Sequence, residues 1–154
     1  MPKIDSKSIP WTNNASYPKE FARAIAGREK QKVGDAAGLT QFGVNIARIK
    51  PNSMSALRHW HESEDEFIYM LEGELVLHEN DGEIVLKPGD AAGWRANGGV
   101  GHCLINRTNR DAVYLEVGTR SKAELVHYPD VDFVMQRDDK GRRWSRKDGT
   151  PIKE

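Results

Sequence analysis

From Arg28 onward the chain sustains no helical period. Short runs of β-branched and aromatic residues are cut repeatedly by Gly, Asn, Asp and Pro, and that texture confines the fold to an all-β sandwich or barrel. Strands are expected over 31–34 and 40–50, either side of Asp35-Ala36-Ala37-Gly38, with Pro51-Asn52-Ser53 ending the second. Strands over 75–78 and 83–87 flank Asn80-Asp81-Gly82, a hairpin turn because an aspartate-glycine pair accepts positive φ. Segments 91–95, 102–106 and 112–117 complete the set.

One stretch in this frame carries chemistry: His59-Trp60-His61-Glu62-Ser63-Glu64-Asp65-Glu66. Strand side chains alternate, so His59 and His61 point one way and Trp60 the other. Phe67-Ile68-Tyr69-Met70-Leu71 continues as a strand, and a turn over 62–65 would let Glu66 face both histidines from a neighbouring antiparallel strand. Two neutral nitrogens and a carboxylate oxygen then converge as a set of donors suited to a borderline divalent metal. The same period of two puts Leu57, Ile68, Met70 and Leu104 on the pocket side as apolar walls. Arg48 and Tyr114 are candidate polar pocket residues. Glu62, Glu64 and Asp65 read as a solvated turn, and His78 and His127 as ordinary surface or core histidines.

His59, one residue, His61, four residues, Glu66, six residues and Gly73 resemble the first signature of the cupin superfamily. Gly99, two residues, His102, three residues and Asn106 resemble the second, and Gly82 with Pro88-Gly89-Asp90 resembles its opening turn. The glycine usual before the first histidine is absent, and Arg95-Ala96-Asn97-Gly98 stands where a proline is usual in the second signature. The resemblance implies a jelly roll, the double-stranded β-helix barrel. It also implies that His59, His61, Glu66 and His102 are ligands of a divalent metal ion, with Mn, Fe, Zn and Ni equally open.

At 154 residues the chain is long enough for one core. It divides into an N-terminal arm (1–27) carrying Pro2, Pro10, Trp11, Tyr17 and Pro18, a barrel (28–120), and a C-terminal extension (121–154) packed on the barrel as a hairpin around Asp139-Lys140-Gly141. Pro18 followed by 19–26 and Gly27 fits a short helix. With 23 basic and 23 acidic residues the net charge is zero, which argues against nucleic acid or an anionic membrane surface as a partner. The first residues lack the apolar core of a secretory signal, so a cytoplasmic location is expected. Cys103 has no partner for an intramolecular disulfide and reads as a small packed hydrophobe on the face opposite His102 and Leu104.

The single-domain cupins that this chain resembles imply first an isomerase of a sugar phosphate or other small carbohydrate, using the divalent metal. The alternatives are a non-heme iron dioxygenase of a small organic substrate and a non-catalytic module binding metal or a small molecule. No catalytic base is assigned, because Glu66 belongs to the metal and Glu62 and Glu64 face solvent in this reading. Arg48 and Arg95 are the cations assigned to a phosphate. Trp11 with the outward residues Trp60, Phe67 and Tyr69 predicts a homodimer.

Overall fold

The computed structural model describes residues 3–153, leaving Pro2 and the last residue of the expected extension outside the described residues. Among the described residues, twelve strands form three antiparallel sheets. The first has five strands in the order β1 (Arg28–Gln31), β2 (Phe42–Ile49), β9 (Ala112–Thr119), β4 (Glu66–Glu72), β7 (Ala91–Trp94). The second runs β6 (Gly82–Leu86), β5 (Leu75–Glu79), β8 (Cys103–Ile105), and the third β12 (Gly141–Ser145), β11 (Val134–Asp138), β10 (Glu124–His127), β3 (Trp60–His61). This is the jelly-roll barrel expected. Among the described residues no helix is long and apolar enough to cross a membrane.

Alternation builds the core between the first two sheets. Along β4, Ile68 and Met70 are buried while Phe67, Tyr69 and Leu71 remain exposed on the outer face. The inward residues meet Ala47 and Ile49 of β2, Ala112 and Tyr114 of β9, and Leu75, Leu77, Leu86 and Leu104 from the second sheet. The Asn80-Asp81-Gly82 turn joins β5 to β6 in register, with Glu79 opposite Gly82.

Three expectations move. The first strand lies at Arg28–Gln31 instead of 31–34, and Val33–Ala36 is one turn of helix, α1. That turn packs onto β2 at Gly34, where a Cβ would stand 3.0 Å from the Val44 nitrogen. The helix after Pro18 is a 3-10 helix, Lys19–Ile25. In the C-terminal segment the hairpin forms as expected, and it is preceded by a further strand, β10, that the sequence does not mark. It pairs with β3, setting Val126 opposite His61 and His127 opposite Trp60.

The arm packs on its own barrel. Thr12 bridges to Lys30, the Arg48 guanidinium lies 4.1 Å over the Trp11 ring, and buried Gln31 donates to the carbonyls of Ser6 and Ile9 at 2.7 and 2.8 Å. Tyr17 and Phe21 join the second core cluster, Val126, Tyr128, Phe133, Met135 and Trp144, where aromatic rings meet mostly edge to face.

Candidate metal centre

His59 and His102 are joined directly: each backbone N–H donates to the other's carbonyl, at 3.1 and 2.9 Å, in an isolated antiparallel bridge. This pairing ties the two halves of the histidine pattern together. Residues 62–65 do not form the expected hairpin, because their backbone is captured by two other strands. Glu62 N–H donates to the Leu125 carbonyl, and Asp65 N–H to the Thr119 hydroxyl at 2.8 Å. The chain therefore crosses from the third sheet to the first, and Glu66 reaches the histidines from across the barrel.

All three imidazoles turn Nε2 to the Glu66 carboxylate. His59 and His61 lie 3.6 and 3.3 Å from Oε1, and His102 lies 2.6 Å from Oε2. Two of the opposite ring nitrogens are anchored, Nδ1 of His59 on the Leu57 carbonyl at 2.8 Å and Nδ1 of His102 on the Val100 carbonyl at 3.0 Å, while Nδ1 of His61 faces the Glu124 carboxylate at 3.5 Å without a hydrogen bond. Trp94 stacks on His102 with centroids 3.7 Å apart and donates its indole N–H to Glu79 at 2.8 Å. Backbone acceptors behind two rings fix the tautomer that offers Nε2 as a lone-pair donor. Among the described residues, donor atoms of His59, His61 and Glu66 all lie within 4.8 Å of one another, a set that fits a divalent ion of borderline softness, and His102 meets the same carboxylate at its other oxygen.

The charges reflect this crowding. Burial is the strongest influence on Glu66 and pushes its pKa up, yet the three imidazoles outweigh it and hold the carboxyl well below its ordinary value. Burial depresses His59. His61 is also pressed down by burial, but Glu124 and Glu66 together raise it to about 10.

The cluster opens on a cavity of about 430 Å³. Ile68, Leu104 and Tyr114 line it as expected. Leu57 and Met70 do not: Leu57 packs against the aromatic cluster behind β10, and Met70 is fully buried in the core between the first two sheets. Arg48 faces the outer side, paired with Glu29 at 3.3 Å, and Arg95 is exposed away from the cavity. Glu64 is no solvated residue, since its side chain is 14% exposed and ion-paired with Arg137. Trp60 stacks on His127 across the β3–β10 pair at 4.2 Å, and His127 in turn meets Glu62 at 2.8 Å. Cys103 is buried on the far face, and burial raises its thiol to about 11.

Four residues escaped the sequence reading. Glu124 lies in β10, where a charged residue at an inward position contradicts the apolar alternation that marks strands. Arg28 and Lys30 lie in β1, whose placement was three residues off, and Glu116 alternates with Leu115 and Val117 at a position that reads as an ordinary solvent face. The only available hint was period two along 112–119, which puts Glu116 on the side of Tyr114.

An antiparallel barrel with histidines from two facing segments and a carboxylate from a third strand defines a class of small β-barrels with a histidine–carboxylate cluster at the cavity. A family pattern described as "Cupin domain" matches residues 45–118. A solved structure from Silicibacter pomeroyi, described as a sugar phosphate isomerase from a cupin superfamily, is 42% identical, with a TM-score of 0.95 over 99% of this chain and 97% of that one. The chain belongs to the cupin superfamily. The oxalate-binding protein of Thermotoga maritima is 38% identical over 73 residues, 47% of this chain and 59% of that protein, so the chain spans less than two thirds of that curated relative. The polyketide cyclase RemF from Streptomyces resistomycificus, 21% identical with a TM-score of 0.63 over 77% of this chain and 79% of that one, shares the fold alone.

Proposed function

We propose that this protein is a metal-dependent isomerase of a small carbohydrate or sugar phosphate. His59, His61, Glu66 and His102 hold a divalent ion whose chemistry is Lewis acidity towards a carbonyl or hydroxyl oxygen. The observation that carries this reading is the convergence of three imidazoles on Glu66 at one wall of the cavity. The likeness to the Silicibacter pomeroyi protein along nearly the whole chain supports the reaction class.

An aldose–ketose exchange needs a base outside the ligand set, to take a proton from one carbon and return it to its neighbour with no redox partner, and a carboxylate can serve. Glu116 suits that role. It lies opposite Ile68 on the inward face and lines the cavity. Asn45 donates to it at 2.9 Å and the Lys30 ammonium pairs with it, which fixes its orientation.

The test has two stages. Tag-free protein should carry one metal per chain, lost in His61→Ala and His102→Ala and kept in His127→Ala. Equal metal content in all three would refute the ligand set. Sugar phosphates in heavy water should then exchange a carbon-bound hydrogen, with exchange abolished in Glu116→Gln while metal content stays constant. A ligand-binding module is the second reading, favoured by the match to an oxalate-binding protein; it predicts metal and ligand uptake without exchange. Oxygen consumption by iron-loaded protein without exchange would instead support a dioxygenase. We further propose that two copies associate through the outer face of the first sheet, where Phe67 and Tyr69 stand 44% and 42% exposed.

A further inference from the structure

Six cationic side chains line the cavity, and they differ in what they pair with. Lys30 meets Glu116, Arg137 meets Glu64 and Arg120 meets Asp35. Lys32 and Arg142 stand exposed at the rim. Arg28 is different. It sits on β1 opposite Ile49, which is fully buried, and so shares the inward face. Its Nη1 donates to the Ser55 carbonyl at 2.8 Å, its Nε is buried without an acceptor, and among the described residues no carboxylate pairs with it. A half-buried guanidinium with a neutral carbonyl as its acceptor has unspent charge and unspent donors.

A second donor lines the same cavity: Tyr114, on the inward face of β9, is 1% exposed. Burial drives the Tyr114 hydroxyl far above its ordinary pKa, so it remains a donor at any working pH, and the charge of Arg28 is near enough to oppose that shift. Arg28 gives one donor to the Ser55 carbonyl and keeps others free, and both groups line the cavity that the histidine cluster opens on.

We propose that Arg28 and Tyr114 form an oxyanion subsite that holds the carboxylate or phosphate end of a small ligand, while the ligand's oxygen functions lie toward His59, His61, Glu66 and His102. The ligand class is a small polar molecule with one terminal oxyanion, sized to a cavity of about 430 Å³. A guanidinium offers parallel N–H donors that match both anions, and a hydroxyl lining the same cavity adds a further donor. The subsite rests on the proposed function only for the orientation of the ligand, since anion capture by Arg28 needs no metal.

The experiment uses full-length protein stripped of metal by chelation, with folding verified by circular dichroism. Inorganic phosphate and acetate are titrated separately at constant ionic strength, following heat and the fluorescence of Trp94 and Trp144, which line the cavity. Saturable binding is expected for at least one anion. Affinity should fall about tenfold or more in Arg28→Gln, fall less in Arg28→Lys, which keeps the charge but not the fork, and fall several-fold in Tyr114→Phe. Tighter phosphate binding assigns a phosphoryl ligand and tighter acetate binding a carboxylic one. Wild-type protein that binds neither anion, or binding unchanged in Arg28→Gln, overturns the proposal. Absence of metal from purified wild-type protein would refute the isomerase reading and leave these titrations intact.

Discussion

A carboxylate with no exposed side-chain surface must find its compensation inside the fold, and Glu124 does. Its Oε1 accepts the backbone N–H of Ser63 at 3.0 Å and of Leu125 at 2.8 Å, leaving Oε2 for His61 Nδ1 at 3.5 Å. His59 and His102 rely on neutral carbonyls, so His61 alone is backed by a charge. Glu124→Gln keeps the shape and removes that charge, and zinc affinity measured by chelator competition should fall about 10- to 100-fold. Unchanged affinity would make Glu124 a purely structural residue. The raised value of His61, about 10, also changes the expected acid response. An unperturbed imidazole would lose metal as pH falls through about 6.5. Here metal-free protein still holds the His61 proton at neutral pH, and binding must expel it. Affinity should climb about tenfold per pH unit from neutrality and level off near 10, with about one proton released per metal in calorimetry across buffers of different ionisation enthalpy. The sign for stability is the reverse. In metal-free protein the His61 proton stabilises the fold below about pH 6.5, and that contribution is lost as pH rises through about 10.

Among the elements, the turn from β4 to β5 and the aromatic packing of the arm are the clearest places to break the barrel without touching its chemistry. Gly73 takes φ +70°, and a Cβ there would stand 2.7 Å from the Asp111 carbonyl. Gly73→Ala should cost about 2 kcal/mol or more, since the left-handed backbone alone costs roughly 1–2 kcal/mol, and melting should fall by roughly 4–8 °C. Phe133, fully buried against Tyr17, Phe21, Tyr128 and Trp144, should lose about 3–5 kcal/mol on truncation to alanine. Urea unfolding of both variants checks these values. Gly73, like the four clustered residues, could be found in the sequence because fixed spacing encodes it. Asn106 could be found too, although its buried amide serves structure, donating to the Ile49 and Arg110 carbonyls at 2.8 and 2.7 Å. Spacing could not reveal β10 or β1, whose inward positions carry Glu124, Arg28 and Lys30. Only the assembled barrel shows that these charges have inward surroundings able to accept them.

For the whole molecule, Phe67 and Tyr69 continue across the first sheet into Val117 and Leu115 of β9 and Val44 and Ile46 of β2. An apolar strip of this kind on a sheet's outer side is a natural seat for a symmetric copy. Light scattering at micromolar concentration should give about twice the 17.3 kDa of one chain, and Tyr69→Lys should return the single-chain mass with circular dichroism unchanged. A single-chain mass for the wild type would refute the dimer. Removing the arm should cost stability more than association, because Trp11 and Tyr17 pack on their own barrel. The pairing of β3 with β10 also sets an order of events during synthesis. His59, Glu66 and His102 are all translated before Val126, which stands opposite His61. Until that late segment emerges, His61 has neither a strand to lie on nor Glu124 behind it. A nascent chain therefore cannot close a full-strength cation trap around whichever ion is nearby, and the choice of ion passes to the finished protein in its own compartment.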